Sequence, residues 1–222
     1  MRIAALVAIP ILVAGCSHTG AGGSGPPQPT STQPATQTAT QTGPPASAPK
    51  PAQASGAPAA GAPIAAVITW IEAAHPADPA RYQLDGNVAF SAADGKARCT
   101  TDAKHTAGLL SCLVELTSPP PRPDTAYGEW KGGWVDFDGT NLQVGSARAD
   151  PGPFLAGTGT PLADGDSLSF GDFRCRADQA GLFCVNYAHQ SAARFSAAGI
   201  QPYGCLRSAP PPDGVGIAFN CP

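Results

Sequence analysis

The sequence predicts a mostly β fold: a disulfide-stapled antiparallel sandwich or small barrel with one short N-terminal helix. Three observations lead there. From Arg81 onward, short runs of β-branched, aromatic or alternating apolar residues recur between turn signals. One stretch alone, "PIAAVITWIEAA", has convincing helical spacing. Beyond Cys16, six cysteines remain, four of them in two copies of a similar motif, "CTTDAKHTAGLLSC" and "CRADQAGLFC".

The helix comes first. Pro63 stands where a helix tolerates proline, at its first turn. Ile64, Val67, Ile68 and Ile71 repeat at i, i+3, i+4 and i+7, which is one apolar face. Pro76 biases His75 out of the helical region and ends the element. A face so apolar, carrying Glu72 and no basic residue, is expected to pack across a sheet rather than lie on lipid. The strands follow as "NVAFSA", "KARCTT", "GLLSCLVEL", "WVDFDG", "NLQVG", "SLSFGDFRCRA", "GLFCVNY" and "AARFSA". The intervening "DG", "SPPPRP", "DPGP", "ADGD" and "PPPDG" are turn and loop chemistry, and residues 119–129 read as a long surface loop.

In each cysteine motif a strand bearing the first Cys turns at Asp and Ala-Gly and returns on an apolar strand bearing the second. That brings two Cβ atoms together across a hairpin, as a disulfide requires. The expected pairs are Cys99–Cys112 and Cys175–Cys184, which leaves Cys205–Cys221 to pin the C-terminus. The intervals of twelve, eight and fifteen residues are too long for the closely spaced pairs of a structural zinc site, and no CxxC redox pair is present. The repeat hints at two related half-domains.

The N-terminus is a different material. Met1-Arg2 precedes an apolar run from Ile3 to Val13 and the ending Val13-Ala14-Gly15-Cys16, the pattern of a secretory signal. Small residues before a Cys point to a bacterial lipoprotein signal over residues 1–15, with Cys16 carrying diacylglycerol and palmitate. Eleven apolar residues are too few to span a bilayer, which takes roughly 20. Residues 16–63 then read as a Pro/Thr/Ala-rich tether. After Cys16 it contains ten Pro, no Val, Ile, Leu, Met or aromatic residue, and Lys50 as its one full charge. Such a segment cannot offset the entropy of ordering, and its Thr and Ser beside Pro suit O-glycosylation. Residues 64–222 form a single extracytoplasmic domain holding all fifteen aromatic residues. Sixteen carboxylates there face eleven Lys and Arg, so no basic stripe for nucleic acid exists.

Candidate chemistry is thin. Gly165-Asp166-Ser167-Leu168 matches the string that names GDSL serine esterases, whose Ser is paired with a later Asp-x-x-His. Here the one downstream His is His189, with Asn186 where the Asp should stand, so the string reads better as a turn entering a strand. Asp136 and Asp138 share a strand face by period-two spacing and suit Ca²⁺ binding or glycosidic chemistry. The plainer expectation is a solvated face, with Trp134, Val135 and Phe137 turned toward the core. Tyr127, Trp130 and Trp134 form either a sugar-stacking platform or, more plainly, hairpin packing. His18, His75, His105 and His189 have no ligand spacing between any two, so no metal and no cofactor is expected.

The strings "ITWIEAA", "PPPRP", "WKGGWVDFDG", "DPGPF", "GLFCVNYAHQSAARFS" and "PYGC", behind "VAGC" and a Pro-rich tether, resemble mycobacterial cell-envelope lipoproteins of the Lpp series. The resemblance covers the signal and the domain; the tether matches in composition alone. It implies an actinobacterial envelope lipoprotein and one residue with a role, Cys16. The expectation is therefore a non-enzymatic binding or structural module, held by lipid to the extracytoplasmic face of the cell membrane, whose ligand the sequence does not identify; a lipid and a cell-wall glycan are the candidates. A lipid or glycolipid carrier, built around an apolar cavity, is the alternative, and an esterase a distant third.

Overall fold

Helix α1, Ile64–Glu72, buries Val67, Trp70 and Ile71 and leaves its opposite face in water. The structure, a computed structural model, describes residues 56–106, 108–148 and 152–222, all within one unit, Lys50–Pro222. The expected signal sequence, Cys16 and the expected tether up to residue 55 lie outside the described residues.

Two short strands follow the helix, β1 (His75–Pro76) and β2 (Gln83–Leu84). A run of five comes next: β3 (Asn87–Ala92), β4 (Ala97–Thr101), β5 (Leu110–Val114), β6 (Trp130–Phe137) and β7 (Asn141–Ala147). After a 3-10 turn at Gly152–Ala156 come β8 (Thr160–Pro161) and five more: β9 (Asp166–Phe170), β10 (Phe173–Asp178), β11 (Gly181–Asn186), β12 (Ser191–Ser196) and β13 (Gly199–Gly204). The C-terminal hairpin is β14 (Arg207–Ala209) and β15 (Val215–Asn220).

The strands form two sheets, ordered β1-β9-β10-β11-β12-β13 and β14-β15-β7-β6-β5-β4-β3-β2, with β8 also on β3. Neither sheet closes on itself, so the architecture is a sandwich and not a barrel. Each sheet is built around a five-stranded antiparallel meander, and the two meanders correspond strand by strand. Cys99 lies opposite Cys112 on the second and third strands of one; Cys175 lies opposite Cys184 on the second and third strands of the other. The segments leading into the meanders are exchanged. β1 precedes the first meander but pairs in parallel with β9 of the second, while β8 precedes the second and pairs in parallel with β3 of the first. Both end in proline, and the residue after each donates to the strand it has reached, Ala77 N to Ser167 O and Leu162 N to Ser91 O. The helical pieces obey the same exchange. Helix α1 packs on the second meander, where Trp70 meets Phe183 edge-on; Phe154 of the 3-10 turn meets Trp134 of the first.

The core lies between the sheets and follows from alternation. In β10, Phe173, Cys175 and Ala177 point inward while Arg174, Arg176 and Asp178 point out. Phe90, Leu110, Val135, Phe137, Leu168, Leu182 and Phe195 fill the interior, together with the Cys99–Cys112 and Cys175–Cys184 bridges. β11 is buried throughout because α1 covers its outer face, which explains its unbroken apolar reading. The third bridge, Cys205–Cys221, joins the end of β13 in one sheet to the end of β15 in the other.

Three expectations need correction. "SLSFGDFRCRA" is two strands, broken at Gly171, whose φ of 49° lies in the left-handed region. β13 to β15 were not foreseen: "IQPYG" contains Pro202, which is tolerated because β13 is an edge strand. Trp134 does not share the core face with Val135 and Phe137. It lies on the opposite face beside Asp136, and that face is covered rather than solvated, leaving Asp136 only 9% exposed.

Candidate functional site

Four connections meet at one end of the sandwich: β4–β5, β6–β7, β9–β10 and β11–β12. Between them lies a cleft of about 590 Å³, lined by apolar Val88, Leu109, Phe170 and Phe173 and by polar Asp102, Asp138, Asp172, Asn186 and His189. The meander repeat places a corresponding cleft at the opposite end, formed by the β3–β4, β10–β11 and β12–β13 turns, but of only about 230 Å³. The two clefts also differ in a connection that lines them. β10 and β11 are joined by Gln179-Ala180, whereas β4 and β5 are joined by residues 102–109.

That longer loop is held by its own polar groups. The Asp102 carboxylate accepts from His105 Nδ1 at 2.8 Å and from the backbone N–H groups of Lys104 and His105, while Ala103 N donates to Asn87 Oδ1. The hydrogen bond from the His105 ring holds the Asp102 carboxyl below its ordinary range. On the β6–β7 turn, Asp138 is consumed in the same way. Its Oδ1 accepts from Thr140 N, Thr140 Oγ1 and Asn141 N, and its Oδ2 accepts from Asn141 Nδ2 at 2.9 Å. Burial alone would push this carboxyl up, but the hydrogen bonds from Asn141 and Thr140 outweigh it and hold it low. Asp102 and Asp138 are therefore builders of the rim, with their acceptor capacity already engaged.

The remaining polar groups are less engaged. Asn186, 3% exposed, uses its Oδ1 to accept from His189 N; its Nδ2 has no hydrogen-bond partner among the described residues. Its amide lies against Gly139, where a Cβ would stand 2.6 Å from Asn186 Cγ and 2.7 Å from His189 Cδ2. A glycine there, at φ 100°, lets the two sheets meet this closely, and Ser191 Oγ donates to Gly139 O across the same junction. Neither the His189 ring nor the Asp172 carboxylate has a protein hydrogen bond among the described residues. Phe170 is half-buried and stacks on Phe173 with centroids 5.7 Å apart.

No protein-family model, curated protein or solved structure matches the chain.

The residues singled out in the sequence are only partly brought together. Ser167 lies on β9, 1% exposed; its Oγ accepts from Arg174 Nε and Nη2 and donates to the His75 carbonyl at 3.4 Å, so neither an imidazole nor a carboxylate is bonded to it. Asp136 and Asp138 part company. Asp138 reaches the cleft, whereas Asp136 accepts from Ser111 Oγ (2.6 Å), Trp134 Nε1 (2.8 Å) and Arg148 Nη2 (2.6 Å) under the Phe154 turn. The aromatic trio forms no platform: Tyr127 is 95% exposed, Trp134 is buried, and Trp130 donates to Pro120 O. No cluster of three His, Cys, Asp or Glu side chains suited to a metal ion occurs among the described residues. Nothing in the strand pattern singles out Phe170 or Asp172, and Asn186 and His189 stand out in the sequence only as a poor esterase match. The available signal was the Gly171-Asp172 turn, which puts an aromatic residue on either side of a sharp reversal.

Proposed function

We propose that the chain is an exported, lipid-anchored envelope protein whose β domain is a non-enzymatic binding module, with the cleft at the β4–β5 end as its ligand site. The observation that supports this most is the cleft's composition: apolar walls, a rim built from internally satisfied carboxylates, and a few unspent polar groups converging inside. Its volume falls in the range of small-molecule sites, roughly 300–1,000 Å³. The interior between the sheets is occupied by side chains, where a lipid carrier would need room, which favours a module over a carrier. Location at the extracytoplasmic face of the membrane rests on the "VAGC" signal and on lipid at Cys16.

Native mass spectrometry of the full chain from an envelope fraction tests the binding reading. A ligand-sized adduct should be present, and should be lost when Ala103→Trp fills the cleft mouth. An adduct indifferent to that substitution would refute the site. Replacing Cys16 by Ser should abolish labelling by radioactive palmitate and release the protein from membranes; retention of both would refute the anchor.

A further inference from the structure

We propose that the cleft recognises an uncharged pyranose sugar, with Asn186 and Asp172 as the hydrogen-bonding pair and Phe170 as the stacking surface. This inference rests on the binding reading above and narrows it to a ligand class.

Charge removes one class first. No Lys or Arg lines the cleft, and Asp172 is the carboxylate there with no hydrogen-bond partner among the described residues. An anionic ligand would have to enter a carboxylate-lined site with nothing to neutralise it, which is costly in a partly desolvated space. A cationic amine would satisfy Asp172, but an ammonium group only donates. It would offer no acceptor to the Asn186 amide, whose N–H would keep water as its only partner and gain nothing from the ligand. A sugar hydroxyl both donates and accepts. Neighbouring hydroxyls on one ring can therefore accept from Asn186 Nδ2 and donate to Asp172, with His189 beside them able to serve in either sense. The apolar side of the cleft completes the match, because a pyranose ring presents a face of C–H groups that Phe170, backed by Phe173, can cover.

The test uses the full oxidised chain, calorimetry and saturation-transfer NMR. The probes are four uncharged trisaccharides (maltotriose, mannotriose, galactotriose and triacetylchitotriose), spermidine as the cationic probe and glucuronic acid as the anionic one. At least one trisaccharide should bind, with transfer strongest at ring C–H protons. Asn186→Asp keeps the acceptor for His189 N while turning the donor into a charge, and should weaken binding by about tenfold or more. Asp172→Ala, at an exposed site with no fold to disturb, should weaken it by several-fold, and Phe170→Ala similarly. Sugar binding unchanged in all three variants would overturn the proposal. So would binding of spermidine or glucuronate, blocked by Ala103→Trp, with no response to any trisaccharide; that result would leave the cleft reading intact. No probe bound and no native adduct would sink both.

Discussion

Replacing Asp136 by Ala should be among the most destabilising polar substitutions in the protein. Its carboxylate accepts three hydrogen bonds, from Ser111, Trp134 and Arg148, at 2.6 to 2.8 Å. Hydrogen bonds to a charged group contribute about 1.5–3 kcal/mol each, but three on one carboxylate do not add independently. Ser111 can rotate to other partners, whereas the indole N–H of buried Trp134 would be left unmet at about 1–3 kcal/mol. Arg148, whose side chain is 40% exposed, would regain water, so its share is discounted. The expected cost is about 3–4 kcal/mol, which in a domain of this size lowers Tm by about 2–4 °C per kcal/mol. Arg148→Ala should cost far less, about 1 kcal/mol, because the carboxylate retains two donors. Urea unfolding with the disulfides intact gives both values, provided the m-value is unchanged. A loss below about 1 kcal/mol for Asp136→Ala, or one no larger than for Arg148→Ala, would refute the view of Asp136 as the hub of this network.

Trp70 holds α1 through its edge-on contact with Phe183 and through Arg176, whose guanidinium lies 3.6 Å from the ring centroid. Trp70→Ala should cost about 3–5 kcal/mol, read as a loss of Tm and as exchange of the α1 amides ahead of the sheets. Asp138 has a depressed folded-state carboxyl, so the stability it contributes is complete above its ordinary value of 3.8 and is lost as pH falls through the lower folded value. Asp138→Ala should flatten the acid limb of the stability curve below about pH 4 and leave its shape near neutrality unchanged, as chemical denaturation across pH would report. Gly145, at φ 78°, lies under Trp130, whose ring carbon would stand 2.7 Å from an added Cβ. Gly145→Ala should cost about 1–3 kcal/mol and shift Trp130 emission to the red as the indole lifts off. By chain entropy alone, opening Cys175–Cys184, with a separation of 9 residues, should cost about 2.6 kcal/mol, and opening Cys205–Cys221, with 16, about 3.1 kcal/mol; thermal melts of the paired Ala variants would rank them.

The fold was legible where local pattern and tertiary environment agree. The 3.6-residue spacing of α1 was readable because one face alone is buried, and the cysteine hairpins because each motif carries its own turn. The C-terminal strands were not readable. β15 includes Gly216, whose missing side chain makes room for Pro120, and β13 has Pro202; both residues weaken a strand pattern for reasons that lie elsewhere in the chain. Asp136 was misjudged for a similar reason. Alternation correctly places it away from the core, but that a second layer, Phe154 with Arg148, covers the outer face cannot be read from β6. The cleft was the least visible feature. Its residues come from four connections separated by up to about a hundred positions, and its decisive group, the Asn186 amide, is notable only for lacking a partner.

The exchange of leading segments has a consequence for how the chain can be cut, copied or made. A protease nick between β7 and β8 would release nothing, because each product still threads a strand and a helical clamp into the other. Neither half should be expressible alone, yet the two supplied as separate chains should assemble around each other like a pair of clasped hooks. During synthesis the first meander must also wait with the outer edge of β3 partly uncovered until residue 160 arrives, and with β7 open until residue 215. Such long-range dependence makes folding slow and all-or-none, and keeps an unfinished chain extended. If the N-terminus acts as the export signal proposed above, that delay would suit a chain that leaves the cell before it folds.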